Sequence, residues 1–190
     1  IFGRWPQVIP TITLQGRALE WTDDTHFLGV VFCSMAMDIF HDHSIQLTKK
    51  ALRVCNVTFA MECFLSDIHP RAGLSIYSAR VDSILTYGAQ IVVITADSTL
   101  RHLEKVQISF LHRLLHVYKC SMTAILFSET GFTLIRYRQL ILTLGYLLRL
   151  LAERVTSSKL APLGIDACHV LWCQGRRNWL SDIAIVLQRL

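Results

Sequence analysis

The chain has 190 residues, 52% of them hydrophobic and 17% charged, with 19 Lys and Arg against 14 Asp and Glu for a formal net charge of +5. That length suits one domain able to bury a sizeable core, and the mild basicity permits a phosphate-bearing partner without demanding one. Mean hydropathy is high at +0.40, yet the longest uncharged run, Ser83 to Ala96, is shorter than the roughly 18 to 20 residues of a spanning helix and holds Tyr87, Gly88 and Gln90, so a buried helix and no membrane association are expected.

Along the first segment, Ile12 to Leu14 and His26 to Phe32 are short runs of β-branched and aromatic residues, separated by turn chemistry at Gln15-Gly16-Arg17 and Thr22-Asp23-Asp24-Thr25. Two or three antiparallel strands are expected between about Pro10 and Cys33. From Asp38 onward the period is helical. Asp38 is placed as the cap of a helix reaching about Leu65, which Ser66 to Pro70 breaks because Pro70 has no amide hydrogen. A second helix is expected from about Arg71 to Thr95, and a third from Asp97 or Ser98 to about Tyr118. Met122 to Ser128 gives one or two more turns ended by Gly131. Further helices are expected over Leu134 to Arg154, Leu160 to Cys173 and Asn178 to Leu190, the last after a basic turn at Gln174-Gly175-Arg176-Arg177. The fold class is therefore mainly α, a helical bundle with a small N-terminal antiparallel β element, divided near residue 33.

Phe2 to Pro10 interposes Gly3, Arg4, Pro6 and Pro10 where a secretion signal needs an unbroken apolar stretch. The six cysteines, at positions 33, 55, 63, 120, 168 and 173, show no framework spacing. Reduced thiols in an intracellular setting, the nucleus included, are the expectation, with no cofactor.

Few residues suggest chemistry. Trp21-Thr22-Asp23-Asp24 superficially copies an aromatic-x-Asp-Asp metal signature, but only about two dozen residues precede it, too few for the scaffold that a third carboxylate and a nucleotide need. It reads as a polar turn between strands. Cys168, His169 and Cys173 lack the second ligand pair of a structural zinc site and read as buried thiols on a helix. His41-Asp42-His43 reads as a helix N-terminal turn, and Glu129 as a cap or a partner of Arg136 or Arg138. No metal site and no catalytic residue is assigned. The third helix is more suggestive: at about 100° per residue, Arg101, Lys105, His112 and His116 share a narrow wedge opposite Leu103, Val106, Phe110, Leu114 and Val117. Such a stripe suits a helix lying along a nucleic-acid backbone, or simply a solvated helix face.

A collinear series of motifs adds to this reading. Phe27-Leu28-Gly29, Met61-Glu62-Cys63-Phe64, Ala79-Arg80-Val81-Asp82 through Tyr87-Gly88-Ala89, Leu103-Glu104-Lys105-Val106-Gln107, Phe127-Ser128-Glu129-Thr130-Gly131 with Arg136-Tyr137-Arg138, and Trp179-Leu180-Ser181-Asp182 resemble, in order and spacing, the region after the catalytic domain in reverse transcriptases of non-LTR, LINE-like retrotransposons, especially fungal ones. The resemblance implies that residues 1–33 correspond to the end of the palm, with Phe27-Leu28-Gly29 in a strand, and 34–190 to the helical thumb-like region. It also implies that Arg101, Lys105, His112 and His116 contact RNA or an RNA-DNA duplex. His116 stands where Gly often ends the third helix of the family, and His26 where Lys or Arg is common. Fingers, catalytic palm, endonuclease and zinc-knuckle array have no counterpart here, so a truncated, non-catalytic fragment of an RNA-directed DNA polymerase is expected. A helical protein-interaction module or inactive relic is the alternative.

Overall fold

The computed structural model describes residues 11–34, 38–61, 64, 68–153 and 160–189, without the side chains of 153 and 160–162. It is mainly helical, with its strands confined to the N-terminal segment. Strands β1 (Thr13–Leu14) and β2 (Arg17–Ala18) form one antiparallel pair, β3 (Asp24–Phe27) and β4 (Val30–Cys33) another, with Leu14 opposite Arg17 and Phe27 opposite Val30. Both hairpins turn on two residues of positive φ, Gln15 and Gly16 at 51° and 78° and Leu28 and Gly29 at 49° and 77°. Two-residue connections of this hand match the right-handed twist of the strands, and glycine at the second position removes the steric cost there.

The expectation of a strand over His26 to Phe32 is corrected by this geometry. Leu28-Gly29 is the turn itself, and the ladder instead extends back to Asp24, which pairs with Cys33. Asp24 therefore lies in a strand rather than in a polar turn, its carboxylate 3.8 Å from His26 Nε2. The main-chain carbonyl of Asp23 accepts bonds from the Ser34 amide and hydroxyl.

Helix α1 (His41–Ala60) buries Leu47, Ala51, Cys55 and Phe59 along one face, at the i, i+4 spacing expected of a core stripe. It starts three residues after Asp38, whose Oδ1 accepts from the Phe40 amide at 3.0 Å. The expected continuation to Leu65 falls largely outside the described residues. Helix α2 (Pro70–Ile76) opens with Pro70 in its first turn, where a missing amide costs nothing, and the His69 side chain accepts from Arg71 N.

A π-helical turn, Tyr77–Asp82, and the short α3 (Ser83–Leu85) continue this rod. It ends well before the expected Thr95: Gly88 takes φ 75°, and the β-branched run Ile91-Val92-Val93-Ile94 is non-helical and, from Val92, buried. Those residues lose rotamer freedom in a helix and suit an extended chain. Ser83 to Ala96 is thus a helix end plus a buried extended segment.

Helix α4 (Asp97–Leu114) runs through the centre, packed chiefly on α1. Asp97 is its first residue and not its cap, which is Ala96. Leu103, Val106, Phe110 and Leu114 are all buried, as the period requires. An aromatic chain joins the helices: Phe59 to Phe110, Phe110 to Tyr77 and Tyr77 to Phe132, with ring centroids 4.9, 5.3 and 4.8 Å apart. Tilted pairs at these spacings add to the area they bury. Burial pushes the Tyr77 phenol far up. Gly73 allows α2 to approach this core, since a Cβ there would lie 2.1 Å from a Leu114 methyl carbon.

Helices α5 (Thr123–Thr130), α6 (Ile135–Glu153), α7 (Leu160–Cys173) and α8 (Trp179–Gln188) complete the described chain. Gly131 closes α5 at φ 68°, and Asn178 and Ser181 form a reciprocal capping box on α8. Three buried polar side chains tie loops to helices. Gln107 donates to Thr133 O at 3.0 Å and accepts from Ile135 N at 2.8 Å, Gln139 donates to Leu85 O at 2.8 Å, and Thr143 to Ala89 O at 2.6 Å. Arg136 pairs with Glu104, and Arg138 with Asp82 at 3.6 Å, so neither takes the expected place beside the exposed Glu129. Burial holds Asp82 above the ordinary carboxylate range against the pull of Arg138.

Candidate nucleic-acid interface

Helix α4 presents Arg101, His102 and Lys105 to solvent in its first half. Its C-terminal end departs from the expected straight run to Tyr118. Leu115 is the cap and His116 sits beyond it at φ 51°, with His116 N bonded to Arg113 O and Val117 N to His112 O. This 5→2 and 6→1 pair is a Schellman closure with histidine in the left-handed position that glycine usually fills. After it the chain folds back, and Val117, Lys119 and Thr123 line a groove of about 690 Å³ together with Lys105, Ile108, Ser109, His112, Arg113 and His116.

Two lysines, one arginine and two histidines therefore meet in one concavity, and among the described residues no acidic one lines it. Among the described residues no carboxylate forms an ion pair with Lys105 or Lys119. The Arg113 guanidinium lies over the Phe59 ring, 4.3 Å from its centroid, a cation–π contact that holds the charged end in place.

Of the four residues expected on the basic stripe, the groove brings together Lys105, His112 and His116. Arg101 lies further along α4, exposed and outside it. His112 corrects the expectation of a fully solvated stripe: it is only 6% exposed, and among the described residues its Nδ1 has no hydrogen-bond partner. Leaving such a buried group unsatisfied costs about 1–3 kcal/mol.

The sequence reading missed Ser109, Arg113, Lys119 and Thr123. Arg113 falls outside the angular wedge and reaches the groove by its long stem, while Lys119 and Thr123 arrive only through the chain reversal. A basic residue soon after a helix end, in Tyr118-Lys119, was the one available signal.

Other candidates dissolve into ordinary roles. His43 is buried in α1 and exposed Cys173 lies 4.0 Å from His169 Nε2, so Cys173 is not the buried thiol expected. Among the described residues no group of three or more His, Cys, Asp or Glu side chains is arranged to hold a metal ion, and no helix is long and apolar enough to cross a membrane. No protein-family model, curated protein or solved structure matches the chain.

Proposed function

We propose that this chain is a non-catalytic, thumb-like part of an RNA-directed DNA polymerase of the non-LTR retrotransposon type, and that the α4 face and its groove hold the backbone of RNA or an RNA-DNA duplex. The observation that supports this most is the acid-free groove in which Lys105, His112, Arg113, His116 and Lys119 converge. A surface that gathers cations is suited to phosphates, whose neutralisation releases counterions and needs no base contact. Exposed Arg101 and Lys105, one turn apart, would extend the contact along the helix.

The test is fluorescence anisotropy with RNA, RNA-DNA duplex and unrelated sequences across a salt series. Binding should be weak, nearly indifferent to sequence, and weaker as salt rises. Replacing Arg101 and Lys105 together by alanine should lower affinity equally for all sequences and flatten the plot of log K against log salt by about two units at most, one for each phosphate no longer neutralised. Full affinity and an unchanged slope in the double variant would overturn the assignment.

A protein-interaction module is the second reading, and one observation favours it. Tyr137, Ile141, Leu148 and Leu151 are exposed along one side of α6, an apolar stripe that a nucleic-acid contact does not require. Failure of the chain to bind any nucleic acid at low salt would favour this alternative.

A further inference from the structure

Helix α1 lies beside α4 and carries cations of its own. Near the start of both helices His41 Nδ1 is 3.4 Å from Thr99 Oγ1, and near their ends the Phe59 ring meets Phe110 and the Arg113 guanidinium. The two helices therefore run side by side in the same direction. His41 and Phe59 are five whole turns apart, so one face of α1 looks at α4 along its length. Lys49 and Arg53, both exposed, lie roughly 80° and 120° round from that face. On α4, exposed Ser109 and Lys105 lie roughly 90° and 130° round from Thr99 and Phe110, in the opposite sense. Opposite rotations away from the line joining two parallel helices end on the same side of the pair. Lys49 and Arg53 thus share one surface with Lys105 and the groove beyond it.

Charge on this surface has one sign. Asp42 in the first turn is the one acid of α1, and α4 beyond Asp97 has only Glu104, nearly buried and paired with Arg136. Among the described residues no carboxylate forms an ion pair with Lys49 or Arg53. Like charges gathered on neighbouring helices repel one another, and an anionic partner offsets that repulsion.

We propose that Lys49 and Arg53 form a second cationic row parallel to that of α4, and that the two rows together seat two phosphate backbones, so that the face binds a duplex in preference to a single strand. The proposal rests on the nucleic-acid reading of the α4 face. Axes of packed helices stand about 8–10 Å apart, and both rows tip outwards from the line between them. The backbones flanking a duplex groove are separated by about 6 to 12 Å in the B form, a comparable span. A single strand laid along α4 leaves the α1 row in water.

The experiment is fluorescence anisotropy of the whole chain with a short RNA duplex and with each of its strands alone, across a salt series. The unaltered chain should bind the duplex more tightly. Replacing Lys49 and Arg53 together by glutamine, a good helix former at two exposed positions, should leave helix content by circular dichroism unchanged. The variant should bind the duplex less tightly and flatten its salt slope by about two units at most, so that between 50 and 200 mM salt the unaltered chain loses about tenfold more duplex affinity than the variant does. Single-strand affinity and slope should stay as they were. Lys49→Arg with Arg53→Lys, which keeps both charges, should bind like the unaltered chain. Undiminished duplex binding in the glutamine variant, equal loss on duplex and single strand, or loss in the charge-keeping swap would overturn the second row. Weaker binding by the Arg101 and Lys105 double variant alongside any of these results would leave the nucleic-acid reading of α4 standing. Failure of the unaltered chain to bind either form at low salt would overturn both.

Discussion

A left-handed histidine closes the helix that carries the basic face. His116 at φ 51° bears a Cβ that crowds the backbone, at a cost of about 1–2 kcal/mol that glycine would avoid. His116→Gly should therefore raise stability by about 1 kcal/mol, or roughly 2–4 °C in melting temperature for a chain of this size, while removing one basic group from the groove. Calorimetry beside RNA titration checks both halves. A variant that is less stable would show that the histidine ring contributes more packing than its conformation costs. The opposite experiment belongs to Gly73, where a Cβ would meet Leu114 side-chain carbons at 2.1, 2.9 and 3.0 Å. Leu114 is only 2% exposed and has little room to move, so Gly73→Ala should destabilise by about 1–3 kcal/mol in urea unfolding. A neutral result would mean that α2 shifts freely against α4.

At the scale of elements, local period and local caps account for everything that was legible in the sequence. The α4 core face, the Gly131 stop and the α7 bounds are dictated by residues within a turn of each other, and they stand where the pattern puts them. The features that were not legible depend on residues far apart in the chain. The segment after Leu85, whose Gly88 and β-branched run disfavour helix locally, is held in place by α6, where Gln139 and Thr143 donate to the Leu85 and Ala89 carbonyls from more than fifty residues away. The candidate site divides the same way: Lys105 and Arg101 are read from the helix period, whereas the burial of His112 and the place of Lys119 in the groove depend on tertiary packing that no periodicity encodes. Thr143→Val tests the long-range tie. It keeps the shape but leaves Ala89 O without its donor, which should cost about 1–3 kcal/mol. Hydrogen exchange should quicken first in residues 89–96, and uniform quickening over the whole chain would contradict a local tie.

At the scale of the whole molecule, one buried histidine and one tyrosine help to hold the β3–β4 hairpin to the helices. Isolated two-stranded hairpins are marginal in water, so β3 and β4 depend on this docking. Val30 and Val31 bury themselves against the helices, the Tyr87 hydroxyl donates to Leu28 O at 2.7 Å, and His43 sits between with 1% exposure. Its Nδ1 faces the Val31 amide at 3.5 Å and its Nε2 faces Tyr87 O at 3.4 Å. An N–H on Nε2 and a lone pair on Nδ1 satisfy both neighbours, so the neutral ring fits and the imidazolium, with a donor at each nitrogen, opposes the Val31 N–H. Burial lowers the His43 pKa, the Tyr87 carbonyl opposes that shift, and Lys50 adds to it. The sign is fixed by linkage. Because the folded chain holds the proton less tightly than the unfolded one, His43 contributes its full stability above the ordinary histidine value of about 6.5. That contribution is lost as pH falls through this value towards the lowered folded one, at no more than about 1.4 kcal/mol per pH unit. Acidification from pH 7.5 to 5 should therefore lower the unfolding midpoint, with amide protection of β4 fading before that of α4. His43→Gln, which can still place an acceptor and a donor on the two sides but does not titrate, should remove this part of the pH dependence. Persistence of the same slope in that variant would show that another group carries it.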